Sequence, residues 1–184
     1  MINPTGEIYL IAALFLTVTI AAVIDFRIQK IPNALTFPAM VIALGYYTGV
    51  YGWQGFFFSL KGIGIGIALL ILPWLLGGMG AGDAKLLGAV GAFIGARATV
   101  VAFLYIGIIG CIYAVILVAC NRQLFKGYFK QLAVTFHLLW VFRKFIPDPE
   151  SEQRRRPRVY YGIPIALGTI CYVVLELTGH QLIG

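Results

Sequence analysis

Two carboxylates at the ends of apolar runs are the first candidates for chemistry in this sequence. Of its seven acidic residues, Asp25 follows the first apolar run and Asp83 precedes the longest one. A carboxylate inside a bilayer costs on the order of 3 kcal/mol on insertion scales, so one that is retained there usually has a function. Two such groups close together can share a proton and activate a water molecule as general base and general acid. For Asp25 alone, a simple helix end beside Arg27 is an equally good interpretation.

Other catalytic groups are scarce. The sequence has two histidines and two serines (His137, His180, Ser59 and Ser151), and it contains no HExxH motif. A Ser–His nucleophile system therefore has little to work with. The three cysteines lie in apolar runs without a CxxC pair or a nearby histidine. We therefore expect neither a metal site nor a cofactor.

Glycines precede the second aspartate. Gly80 and Gly82 remove side chains just before Asp83, so a substrate backbone could approach closely and pair with exposed main chain there. Glycine at small-xxx-small spacing also permits tight packing of membrane helices. We assign that packing role to the later glycines, which are Gly88, Gly91 and Gly95.

The composition indicates a membrane protein. Apolar residues make up 60% of the 184 residues and charged residues 11%, against about a quarter charged in soluble domains. A soluble domain of this size has too little interior to bury so many apolar side chains. The net charge of +7 does not indicate nucleic-acid binding, because the basic residues cluster between apolar runs and no nucleic-acid module accompanies them.

The apolar runs predict an all-α, polytopic transmembrane bundle of about six spans in one domain, residues 1–184. The predicted spans cover about 8–24, 34–51, 56–76, 79–96, 98–120 and 159–178. We divide the run from 84 to 119 at Arg97, its charged break. The fourth span must then begin near Met79 to be long enough, which puts Asp83 slightly inside the bilayer boundary.

The basic residues predict the orientation. With both termini outside, every Lys and Arg except Lys61 and Arg97 lies on the cytoplasmic side, as the positive-inside rule requires. The loop of residues 121–157 then lies in the cytoplasm. Its aromatic and leucine residues recur at helical spacing, which predicts an amphipathic helix on the membrane surface. A basic cluster at 154–158 suits contact with anionic lipid.

Two stretches carry a resemblance to a known family. The run DFRIQKIPN begins at Asp25, and the run GMGAGDAKLLG, residues 78–88, contains Asp83 followed by Lys85. Together they resemble the type IV prepilin peptidases, which are intramembrane aspartyl proteases of the GxGD type. The resemblance implies that Asp25 and Asp83 are the catalytic pair, with Gly80, Gly82 and Lys85 in the active-site motif.

The resemblance also implies a substrate and a location. The substrate is expected to be a pilin-like precursor, cut at the cytoplasmic face of a prokaryotic inner membrane between a basic leader and an apolar helix. The chain is similar to the short, peptidase-only members associated with tight-adherence pili, so we expect no methyltransferase activity. Two alternatives stay open: a small ion- or proton-coupled transporter that uses the two aspartates, and a non-catalytic assembly factor. The oligomeric state is not predicted.

Overall fold

The computed structural model describes residues 4–75, 79–120 and 160–179. Over these ranges the chain is all-helical, without strands, which confirms that the fold is all-α. The helices are α1 (Pro4–Ile28), α2 (Asn33–Leu75), α3 (Ala81–Cys120) and α4 (Gly162–Leu177). The helix predicted in the loop of residues 121–157 lies outside the described residues.

Three of these helices are long and apolar enough to cross a membrane. The candidate segments are Ile8–Ile28, Asn33–Leu75 and Ala81–Leu117. The helix α4 is also apolar but has 16 residues, which corresponds to about 24 Å of helix. The chain is therefore a membrane protein, and the membrane accounts for the large aliphatic and aromatic side chains that its helices expose.

The helix α2 reverses its direction at Gly52. Gly52 has a backbone conformation that only glycine adopts readily, with φ 59° and ψ −139°. The backbone of Gly55 lies against the carbonyl of Tyr47, although eight residues of straight helix would separate them by about 12 Å. The break predicted at residues 51–55 therefore falls where the chain turns back. The rings of Tyr47 and Phe58 pack across this turn, with 4.8 Å between their centroids.

The helix α3 breaks at Gly95 rather than at Arg97. Gly95 has φ 79° and ψ 171°, a region of backbone conformation that is essentially restricted to glycine. The sequence prediction used the charge of Arg97 as the break and was wrong by two residues, because backbone freedom rather than charge determines where the helix can bend. The Phe58 ring occupies the space that a Cβ of Gly95 would need.

Two side chains of α2 donate hydrogen bonds to backbone carbonyls of α3 just before the break at Gly95. Ser59 Oγ donates to the Ala92 carbonyl at 3.0 Å, and the Tyr47 hydroxyl donates to the Phe93 carbonyl at 2.7 Å. An unsatisfied backbone group in a bilayer costs several kcal/mol. Both sections of α2 therefore stabilise the bend in α3, and the serine has a structural role.

Small residues bring α2 and α3 into close contact. Gly62 lies against the backbone of Gly91, and Gly66 lies against the backbone of Leu87. A Cβ on Gly88 would meet Ile67 at 2.9 Å. The packing predicted for Gly88 and Gly91 is therefore present, and these contacts fix the helix that carries Asp83.

The chain forms two compact units. One comprises residues Met1–Gly110 with Tyr160–Gly184, and the other comprises Cys111–Val159. Within the first unit, α1 packs against α4 and against α2. The residues of the candidate site described below all belong to this first unit.

Candidate functional site

Asp25 lies on the buried face of α1, near the end of the helix. Val18 and Ala21 precede it at helical spacing and are fully buried, and Asp25 itself is only 6% exposed. The next residues, Phe26 and Arg27, are exposed. Asp25 therefore lies on the same buried face of the helix as Val18 and Ala21. A simple helix end beside an arginine would not require this burial.

The carboxylate of Asp25 accepts a hydrogen bond from the last helix. The backbone N–H of Gly162, the first residue of α4, donates to Asp25 Oδ2 at 2.8 Å. This bond is buried and joins residues 137 positions apart in the sequence. Its length is typical of hydrogen bonds to a charged acceptor.

Asp83 lies in the first turn of α3, on the buried face of that helix. It is 7% exposed, and Leu86, Leu87 and Val90 continue the same face. The N–H of Gly80 donates to Asp83 Oδ2 at 3.0 Å, and the N–H of Asp83 donates back to the Gly80 carbonyl at 3.1 Å. This reciprocal arrangement resembles a capping box, in which an acidic side chain satisfies a free N–H before the helix.

The two aspartates belong to one site. The loop that follows Asp25 packs against the turn that precedes Asp83, where a Cβ on Gly82 would meet the Ile31 side chain at 3.1 Å. Each aspartate uses its Oδ2 atom to accept a backbone N–H. The arrangement brings together the end of α1, the beginning of α3 and the beginning of α4.

The two glycines of the motif differ in their surroundings. Gly80 is exposed, and a Cβ there would have Asp83 Oδ2 as its nearest neighbour at 3.4 Å. Gly82 instead lies against the loop between α1 and α2, where a Cβ would meet the Ile31 side chain at 3.1 Å. Gly80 therefore lies on the open side of the motif, whereas Gly82 permits close packing.

Lys85 points away from Asp83 toward the beginning of α2. Its Nζ donates to Asn33 Oδ1 at 2.9 Å and lies 5.6 Å from the centre of the Phe37 ring. The spacing of two residues predicts this divergence, since such residues occupy different faces of a helix. The lysine ties the helix that carries Asp83 to the segment that follows Asp25.

Other candidate groups do not join this site. Among residues 4–75, 79–120 and 160–179, no group of three or more His, Cys, Asp or Glu could hold a metal ion. Ser59 is bound to the Ala92 carbonyl, as described above. His137, Ser151 and His180 lie outside the described residues.

Three residues at the candidate site were not predicted from the sequence. Gly162 was missed because its contribution is a backbone N–H, which no side-chain pattern reveals. Asn33 and Ile31 belong to the IPN stretch that supports the resemblance, but their contacts with Lys85 and Gly82 cross the helices. The IPN stretch was the available signal for these two residues.

Comparison with known proteins identifies the family. The model of the type IV leader peptidase family matches residues 12–115, which include Asp25, Asp83 and the glycine motif. The chain belongs to this family, as the resemblance implied, and is a peptidase of the kind that processes prepilin-like substrates. No curated protein and no solved structure shows significant similarity to it. The transporter alternative is not favoured, because the family is one of peptidases.

Proposed function

We propose that this chain is an intramembrane aspartyl endopeptidase that removes the leader of a pilin-like precursor, with Asp25 and Asp83 as its catalytic pair. The observation that carries the proposal is the geometry of these two carboxylates. Both are buried, each is held by one backbone N–H, and Ile31, six residues after Asp25, packs against Gly82, the residue before Asp83. Nothing in a purely structural role requires two carboxylates to be buried beside each other, since neighbouring like charges repel.

The proposed mechanism uses the pair as one acid–base unit. One aspartate is ionised and takes a proton from a bound water molecule, whose oxygen attacks the scissile carbonyl carbon. The protonated partner donates its proton to the carbonyl oxygen, which gives a neutral tetrahedral diol. Collapse of the diol breaks the C–N bond, and a proton from the pair passes to the leaving amine.

The motif around Asp83 supports an extended substrate. Gly80 is exposed and has no side chain, so a substrate backbone can lie beside Asp83 on this side. The hydrogen bond from Lys85 to Asn33 joins α3 to the beginning of α2 and so maintains the opening beside the two aspartates. In our proposal the leader and the first turn of the apolar helix of the precursor lie across this opening.

The proposed topology has six crossings in a single domain, residues 1–184. The breaks at Gly52 and Gly95 support a division of α2 and α3 into two crossings each. Both termini would then lie outside, and the aspartates would lie at the cytoplasmic face of a prokaryotic inner membrane. The distribution of Lys and Arg supports this orientation.

Cleavage in a reconstituted system tests the function. The protein is placed in liposomes with a precursor that joins a Lys/Arg-rich leader to an apolar helix, and the product mass is measured. The wild type should make a single cut before the apolar helix. Asp25→Asn and Asp83→Asn should each lower turnover by at least about 1,000-fold, because each variant removes half of the acid–base unit.

A control variant removes a carboxylate elsewhere in the chain. Glu176→Gln removes an acidic group near the other end of α4, where the side chain is exposed, and should cleave at the wild-type rate. Absence of any cut by folded wild-type protein would contradict the proposed function. Near-normal turnover by either Asn variant would contradict the assignment of the pair.

A further inference from the structure

The first turn of α4 uses its backbone donors completely. The first N–H groups of a helix have no partner within the helix and must find one elsewhere. Here Ile163 N–H donates to the Tyr160 carbonyl, Ile165 N–H donates to the Tyr161 carbonyl, and Pro164 has no N–H. The remaining donor is the N–H of Gly162, and its acceptor is Asp25. The helix therefore directs one donor at the carboxylate, from its positive end.

A glycine is needed at position 162 because there is no space for a side chain, and not because of the backbone conformation. The glycines with positive φ among the described residues are Gly52, Gly95 and Gly179, so Gly162 adopts a conformation open to any residue. A Cβ at Gly162 would meet Asp25 Cβ at 2.9 Å, Oδ2 at 3.0 Å and Cγ at 3.2 Å. All three nearest atoms belong to the carboxylate side chain. The glycine thus permits the close approach that the hydrogen bond requires.

A second contact supports the same junction. The rings of Phe26 and Tyr160 pack with 5.2 Å between their centroids, one residue after Asp25 and two residues before Gly162. Further along α4, Gly168 lies against the backbone of Ile106. The first half of α4 is therefore held against the end of α1 and against α3.

We propose that Gly162 is a positioning residue for the peptidase reaction, and that the beginning of α4 is the third element of the active site. This inference rests on the proposed function, in which Asp25 is catalytic. The Gly162 N–H holds Asp25 Oδ2, which fixes the orientation of the carboxyl group and turns its Oδ1 toward Asp83 and the attacking water. The residue lies outside the range of the family match, residues 12–115.

The test compares two alanine substitutions in the same helix. Gly162→Ala places a methyl group against Asp25, so we expect kcat to fall by about 10- to 100-fold while KM changes by less than about threefold. The pH dependence of kcat should also change, because the surroundings of one member of the pair change. Gly168→Ala crowds Ile106 instead and should lower thermal stability, with the pH dependence of kcat unchanged.

A second variant distinguishes the steric effect of an added side chain at position 162 from the loss of the hydrogen bond to Asp25. Gly162→Pro removes the N–H at the first helical position, which proline often occupies, but Tyr161 before it must then leave its helical backbone conformation. Gly162→Pro should lower kcat more than Gly162→Ala, whose N–H can still donate from a displaced position. Both variants are assayed in liposomes with the precursor described above, after circular dichroism and thermal unfolding have established the folded fraction.

The outcomes distinguish this inference from the proposed function. If the wild type cleaves and Asp25→Asn does not, but folded Gly162→Ala and Gly162→Pro keep the wild-type kcat and pH profile, the positioning role is refuted and the peptidase stands. An equal change in the pH profile of Gly168→Ala would also refute it, since any disturbance of α4 would then suffice. Failure of folded wild-type protein to cleave would refute the proposed function, and the inference with it.

Discussion

Asp25 and Asp83 are both buried carboxylates that accept one backbone N–H, but the two donors come from different distances along the chain. The donor to Asp83 is Gly80, three residues earlier, within the same glycine motif. The donor to Asp25 is Gly162, 137 residues later, at the beginning of another helix. One half of the site is therefore built by a short stretch of sequence, and the other half depends on the packing of α4 against α1.

This difference shows what each half requires from the rest of the protein. The turn before α3 can hold Asp83 wherever that helix lies, because the reciprocal bonds with Gly80 are local. Asp25 loses its donor as soon as α4 moves away from α1. The following substitutions change the surroundings of Asp83 and of α3. Gly162→Ala, described above, makes the corresponding change beside Asp25.

The largest effect among these substitutions is expected at Gly82. Gly82→Leu places a branched side chain where a Cβ already meets Ile31 at 3.1 Å, so the beginning of α3 must move away from the loop after α1. Misplacement of a catalytic group by about 1 Å can lower a rate about 100-fold, and we expect at least this loss in kcat/KM. Gly64→Leu is the matched control, because a Cβ at Gly64 meets no atom within 4 Å. Undiminished cleavage by folded Gly82→Leu would remove Gly82 from the site.

The local support of Asp83 is tested by removing its donor. Gly80→Pro eliminates the N–H that holds Asp83 Oδ2, and we expect kcat to fall by about 10- to 100-fold, in the range found for loss of one preorganised donor. Gly80→Ala keeps this N–H and should retain kcat. Its Cβ should raise KM, because it lies on the exposed side where we propose that the substrate approaches. Equal kcat values for the two variants would contradict the role of the bond.

The smallest effect is expected from loss of the hydrogen bond between Lys85 of α3 and Asn33 of α2. Lys85→Ala removes the hydrogen bond to Asn33, and a net contribution of about 0.5–1.5 kcal/mol corresponds to a loss in kcat/KM of about 2- to 10-fold. Lys85→Met keeps the aliphatic chain over Phe37 and separates packing from charge. The double variant Lys85→Ala with Asn33→Ala should be no worse than either single variant. Additive losses would indicate that the two residues act separately.

The parts of the fold that sequence could predict are those with local causes. The break near Gly52 coincides with the prediction, because a glycine cluster is itself what allows the chain to turn. The break in α3 was misplaced at Arg97, because a charge shows where a chain can meet water but not where its backbone can bend. Gly95 provides that freedom, and the Phe58 ring occupies the space beside it.

The candidate site also has parts with local causes, which sequence could predict, and parts that depend on packing between helices. Asp25 and Asp83 were predicted from sequence because an aspartate at the end of an apolar run is unusual. The structure buries both of them, and their catalytic role stays a prediction. The different roles of Gly80 and Gly82 could not be separated, since both are glycines two positions apart. The contact with Gly162 could not be predicted at all. It depends on a backbone N–H and on the way in which α4 packs against α1.

We propose that Asp25 and Asp83 work as one unit, and a double-mutant cycle is the test of this claim. Single-turnover cleavage of the precursor is measured for the wild type, Asp25→Asn, Asp83→Asn and the combined variant. We expect each single substitution to lower the rate by at least about 1,000-fold, and the combined variant to be no slower than either, because residues that act as a unit are lost together. Losses that multiply in the combined variant, or near-normal cleavage by one single variant, would contradict the claim.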